Sequence, residues 1–187
     1  MVPETQMKVS KIEAACRQLD AAIRMLFAGE DILAVHTVSR AAFRTLHSLT
    51  KAADTKTALE HYIRKIGQKQ FDYLTNYLKH ADRDPNVLID DSFHIYTEAG
   101  IGMAISLYVY HANTITDEMK GYQIWSAMTQ PKIFDVPNDL IKLVDDWKAD
   151  GRSDLDTRIE HRGDRDFGAA LVHWIKLRDV SKELNPR

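Results

Sequence analysis

His80, Asp82 and Asp84 place one imidazole and two carboxylates within five residues, in the run His80-Ala-Asp-Arg-Asp-Pro85. Nitrogen and oxygen donors at this spacing can ligate a divalent ion, which would orient water while a neighbouring base takes its proton. The same residues have a structural use. A histidine at a helix C-terminus suits the dipole, the aspartates cap the turn, and Arg83 pairs with one of them. His94 and Glu98 stand four apart at the start of a stripe continued by Ile101, Ile105 and Tyr108. Ionisable groups entering an apolar face need partners. These two either bond each other at i and i+4, or join His80 and Asp82 in a metal or catalytic site. Their spacing differs from the Glu-x-x-His of bundle-core metal sites. A third group, His36, Arg40, Phe43 and His47, lies within about 60° of helical arc. It runs beside an apolar stripe, and a partly solvated face is its simplest reading.

Stronger motifs are absent. The sequence has no Walker glycine loop, GxGxxG, GxSxG, HExxH or CxxC, which removes the standard nucleotide, hydrolase and zinc signatures. Its 25 basic and 27 acidic residues leave a net charge of −2. Residues 1–80 carry 12 basic and 8 acidic side chains, and 81–187 carry 13 and 19. No dense Lys/Arg run with interleaved aromatics appears, so a nucleic-acid partner is not expected. Arg40-x6-His47 does resemble the loose Arg-x4–6-His pattern of HEPN ribonucleases, although that family carries it in the later half of the bundle rather than in the second helix.

The elements that must position these groups read as helices. Ile12, Cys16, Leu19, Ile23 and Leu26 step by four and three, which predicts a helix over 8–28. Gly29 supplies a stop, and Asp31 an N-cap for a second helix over 31–52 with Val35, Val38, Ala42, Leu46 and Leu49 on its apolar stripe. So short a connection predicts an antiparallel hairpin. Further helices are expected near 56–66 and 69–80, the latter with Phe71, Leu74 and Leu78 toward the core. The loop 81–86 precedes a helix over 91–112 that is apolar nearly all round from Ile101 to Tyr110. Such a helix belongs in the middle of a bundle, and close packing would explain Gly100 and Gly102. Thr116 or Asp117 starts a helix carrying Met119, Tyr122, Trp125 and Met128. Asn138 caps a short one, 150–166 reads as a charged loop, and a last helix covers 166–181.

The expected fold is therefore all-α, a single-domain helical bundle over 1–187, with five to seven helices and a buried central helix. Cys16, the sole cysteine, reads as a buried inert thiol and fits a reducing, cytoplasmic setting. The N-terminus carries no signal pattern, and the uncharged stretch 99–116 suits a core helix better than a membrane span. Ala34-Val-His-Thr-Val38 and Tyr77-Leu-Lys-His-Ala-Asp-Arg-Asp-Pro85 together resemble a family of small bacterial helical proteins. That resemblance implies a bacterial cytosolic protein and brings no activity with it. The leading functional expectation is a binding or interaction module, self-associating through an apolar helical face. The aromatics at helix ends, Tyr62, Tyr73, Tyr77, Tyr96 and Trp125, would suit a partner or ligand surface, although core packing explains most of them. It needs no cofactor, and no small-molecule ligand is specified. The alternative is a metal-assisted hydrolase or HEPN-like ribonuclease using His80, Asp82, Asp84, His94 and Glu98 with a divalent metal.

Overall fold

A computed structural model describes residues 8–52, 68–80, 82–83, 85–89, 93–129, 142 and 165–184. Their regular elements are α-helices: α1 (Lys11–Phe27), α2 (Ile32–Ala52), α3 (Gln68–Lys79), α4 (Phe93–Ala112), α5 (Asp117–Thr129) and α6 (Arg165–Leu184). The all-α bundle expected from periodicity is the fold. The helix expected at 56–66, the one capped by Asn138 and most of the charged loop 150–166 lie outside the described residues. No described helix is long and apolar enough to cross a membrane.

Local chemistry sets the helix ends. The Glu13 N–H donates to Ser10 Oγ at 3.1 Å, so Ser10 caps α1. Gly29, at φ 74°, turns the chain out of α1, where the left-handed conformation costs glycine little. Asn113, at φ 50°, closes α4 in the same conformation. The Met119 N–H donates to Thr116 Oγ1 at 3.2 Å, which caps α5 as its sequence suggested.

Two compact units divide the chain, Met1–Ala22 with Ile32–Thr114, and Ile23–Asp31 with Ile115–Arg187. In the first, α4 lies along α2. Ile101, Ala104, Ile105, Leu107 and Tyr108 of α4 join Val35, Ala42, Phe43 and Leu46 of α2 among its buried side chains. The buried arc of α2 is wider than the apolar stripe. His36, Ser39, Arg40 and Phe43 are also buried, because both α3 and α4 pack on this helix. The face read as partly solvated is thus interior, with His47 half-buried at its end. On α3, Leu74 is buried while Leu78, expected toward the core, is 39% exposed. Cys16 is half-buried rather than sealed. Its thiol reaches toward Asp20, and its hydrogen bond with Tyr108, together with burial, pushes the tyrosine hydroxyl up to about 12.

The second unit centres on Phe27, Tyr122 and Trp125, whose ring centroids lie 5.6–6.5 Å apart. Glu118 is buried, and burial favours its neutral form. Lys176 at 2.7 Å and Arg24 at 3.3 Å outweigh that and hold the carboxyl below its ordinary value. Helix α6 approaches closely at two glycines. A Cβ on Gly121 would strike the Val172 side chain, and one on Gly168 would strike the Phe27 ring. Gly100 differs, since a Cβ there meets nothing within 4 Å, so close packing does not account for it. Gly121→Ala and Gly168→Ala should each cost about 1–3 kcal/mol by overpacking. Gly100→Ala should instead gain about 0.5–1 kcal/mol. Urea denaturation monitored by circular dichroism checks all three, and equal effects would contradict these contacts.

Candidate functional site: a buried histidine relay

Three helices of the first unit meet at His36. On α2, His36 and Arg40 stand one turn apart, on α3 Asp72 and Thr75 do the same, and α4 contributes Thr97. His36, Arg40, Thr75 and Thr97 are each no more than 6% exposed. His36 Nε2 lies 3.0 Å from Thr75 Oγ1, and Nδ1 lies 3.1 Å from Thr97 Oγ1. Arg40 donates from Nε to Thr75 Oγ1 at 3.2 Å and from a terminal nitrogen to Asp72.

Proton accounting gives the relay a direction. The Thr97 hydroxyl donates to the Phe93 carbonyl at 3.2 Å, so its oxygen accepts from His36 Nδ1–H. A neutral imidazole carries one N–H, which leaves Nε2 as an acceptor. Thr75 therefore donates to Nε2 while its oxygen accepts from Arg40. The chain runs from Arg40 through Thr75, His36 and Thr97 to the Phe93 carbonyl, with every one of these contacts correctly paired. Burial first, and then the Arg40 charge, lower His36 to about 4. Burial also lowers Arg40 from its ordinary value, against the opposing pull of Asp72. The guanidinium remains charged. It lies 4.7 Å from the centre of the Phe43 ring, on which His47 stacks at 5.3 Å.

A shallow cleft follows this relay, lined by His36, Ser39, Arg40, Phe43, Tyr96, Thr97 and Gly100, and it has no space for a water molecule. The arrangement suits positioning of helices rather than proton transfer to a substrate. Both imidazole nitrogens are engaged, and the arginine is committed to a carboxylate and a hydroxyl.

The other predicted residues are distributed differently. His80 is half-buried just beyond α3, where its N–H donates to the Asn76 carbonyl at 3.0 Å and its own carbonyl accepts from Arg83 N–H at 2.9 Å. Asp82 is exposed, and Asp84 lies outside the described residues. His94 is exposed near the start of α4, whereas Glu98, one turn on, is buried. Among the described residues, no three His, Cys, Asp or Glu side chains gather as a metal ion would require.

Sequence reasoning found His36, Arg40 and His47 but missed Asp72, Thr75 and Thr97. A usable signal existed. Thr75 adjoins the core position Leu74, Thr97 stands one turn before the core position Ile101, and the one-turn spacing of Asp72 and Thr75 matches that of His36 and Arg40.

Removing the carboxylate would take from the buried guanidinium the counter-charge of Asp72. Asp72→Ala should cost about 2–4 kcal/mol, less than a fully buried pair because Asp72 is partly wetted. The exposed Arg17–Glu13 pair provides the contrast, with Arg17→Ala costing less than about 1 kcal/mol. The double variant Arg40→Met/Asp72→Leu should be more stable than Asp72→Ala alone. Equilibrium unfolding of the four proteins checks this, and a negligible cost for Asp72→Ala would contradict it. No family model matches the chain, and no curated protein or solved structure matches it.

Proposed function

We propose that this protein is an interaction module that associates with a second copy of itself through the surface at Val87, Leu88, Ile95 and Tyr96. One observation carries the reading. Within ten residues the loop before α4 and its first turns leave Leu88 90% exposed, Ile95 46%, Val87 39% and Tyr96 37%. Isolated exposed apolar residues are ordinary, whereas a concentration of them marks an interaction surface. Tyr73 of α3 is exposed too, while Trp125 is buried and serves the core. Tyr77 is half-buried, and Tyr62 lies outside the described residues.

A second copy fits this surface chemically. In a two-fold dimer the same patch meets itself, so apolar groups need no complementary charge on a different partner. A net charge of −2 also leaves little repulsion between copies. The closed, fully bonded state of His36 supports a binding role over a catalytic one. The resemblance of the AVHT and KHADRDP segments to small bacterial helical proteins supports a bacterial, cytoplasmic setting.

Light scattering coupled to size exclusion tests the proposal. Over about 1–200 μM, the mass should rise from 21.4 kDa toward twice that value. Leu88→Asp should weaken association by about tenfold or more while leaving the helical circular dichroism unchanged. A wild-type protein that stays monomeric across this range overturns the reading.

A further inference from the structure

The seam between α3 and α2 differs from the seam between α4 and α2. From Asp72 to Lys79, α3 buries Leu74 and Thr75, and leaves Tyr73, Asn76, Leu78 and Lys79 exposed. Three hydrogen bonds tie it to α2: Asp72 to Arg40, Thr75 to Arg40 and Thr75 to His36. Helix α4 instead buries a run of apolar side chains from Ile101 to Tyr108. Its bond to the relay, His36 Nδ1–H to Thr97, uses the proton that neutral and protonated imidazole share.

A second proton on His36 would sit on Nε2 and point at Thr75. That hydroxyl already accepts from Arg40, so its own O–H would lose the acceptor it has in the relay. Two cations would then share one oxygen atom. The damage falls on the α3 side and spares the Thr97 side. We propose that the His36 relay is an acid-released latch, in which protonation of the imidazole frees α3 from α2 while α4 stays docked.

The linkage has a definite sign. Closed, His36 is held at about 4 by burial and by Arg40, against an ordinary 6.5 once released. The latch is therefore at full strength above about pH 6.5 and weakens as the pH falls toward 4. At pH 5.5 the open population should be about tenfold its value at pH 7.5. The other charged or titratable groups around this point are Arg40 and Arg44 on α2, Asp72 on α3, and His94 and Glu98 within a turn of Thr97 on α4. A variant that cannot be protonated at position 36 separates their contribution from that of His36.

Hydrogen exchange of the full chain at pH 7.5 and 5.5, corrected for intrinsic rates, provides the test. Protection of the α3 amides should fall about tenfold relative to the α4 amides of residues 101–108. In His36→Gln, whose amide offers both a donor and an acceptor without titrating, that relative fall should vanish. An equal fall in both proteins overturns the latch, as does a fall shared by α3 and α4. Should His36→Gln not fold, NMR titration of the wild-type His36 ring decides the question. A midpoint near 4 supports the latch, and one near 6.5 overturns it.

Discussion

A guanidinium taken out of water must be answered by charge and by hydrogen bonds, and Arg40 imposes that requirement on the first unit. Its side chain is 6% exposed. Asp72 answers the charge, Thr75 takes a further N–H, and the Phe43 ring lies close to the guanidinium. Thr75 can act as acceptor only by sending its own proton elsewhere, and His36 receives it. His36 must then remain neutral and donate its one N–H to Thr97. Once Arg40 is inside, the position of α3, the tautomer of His36 and the bonding of Thr97 on α4 follow in sequence.

Helix positions were largely legible because each helix repeats its apolar residues at the right period and is bounded by local stop signals. Gly29 and Thr116 act within their own turns, so no knowledge of distant contacts is needed to see them. The identity of the buried face of α2 was harder to read. Periodicity assigns polar residues to water, and on that basis His36 and Arg40 fell outside the core. They are inside because α3 and α4 supply Asp72, Thr75 and Thr97, residues 32 to 61 positions away in sequence for the pairs they make. Nothing local specifies which turn of one helix will face which turn of another. The one trace left is chemical: polar side chains with matched spacing on two helices that each need partners.

Nearness in sequence misleads in the opposite direction at His80 and Asp82. Two potential ligands within three residues suggest a site, yet the chain is leaving a helix there. The backbone groups of His80 complete the α3 exit, with His80 half-buried and Asp82 exposed. Glu118 shows the contrary case. Nothing around it in sequence announces a buried carboxylate, and its two cationic partners, Arg24 and Lys176, come from positions 94 and 58 residues away. Buried charge in both units is organised by tertiary contacts, which a linear pattern does not display.

Polar groups at a helix seam also discriminate between registers in a way apolar groups do not. Leu74 and Leu78 stand one turn apart on α3, and a leucine presents the same chemistry to α2 from either position. Sliding α3 by one turn could exchange one for the other at small cost in buried area. The same slide would bring Lys79 to the place of Thr75 and Asn76 to that of Asp72. Arg40 would then lose the Asp72 carboxylate, and His36 Nε2 would lose the Thr75 hydroxyl. The penalty for breaking a buried ion pair, several kcal/mol, far exceeds what an interchange of leucines can recover. The relay therefore sets where α3 binds as well as holding it there, and both rest on the neutrality of a single imidazole.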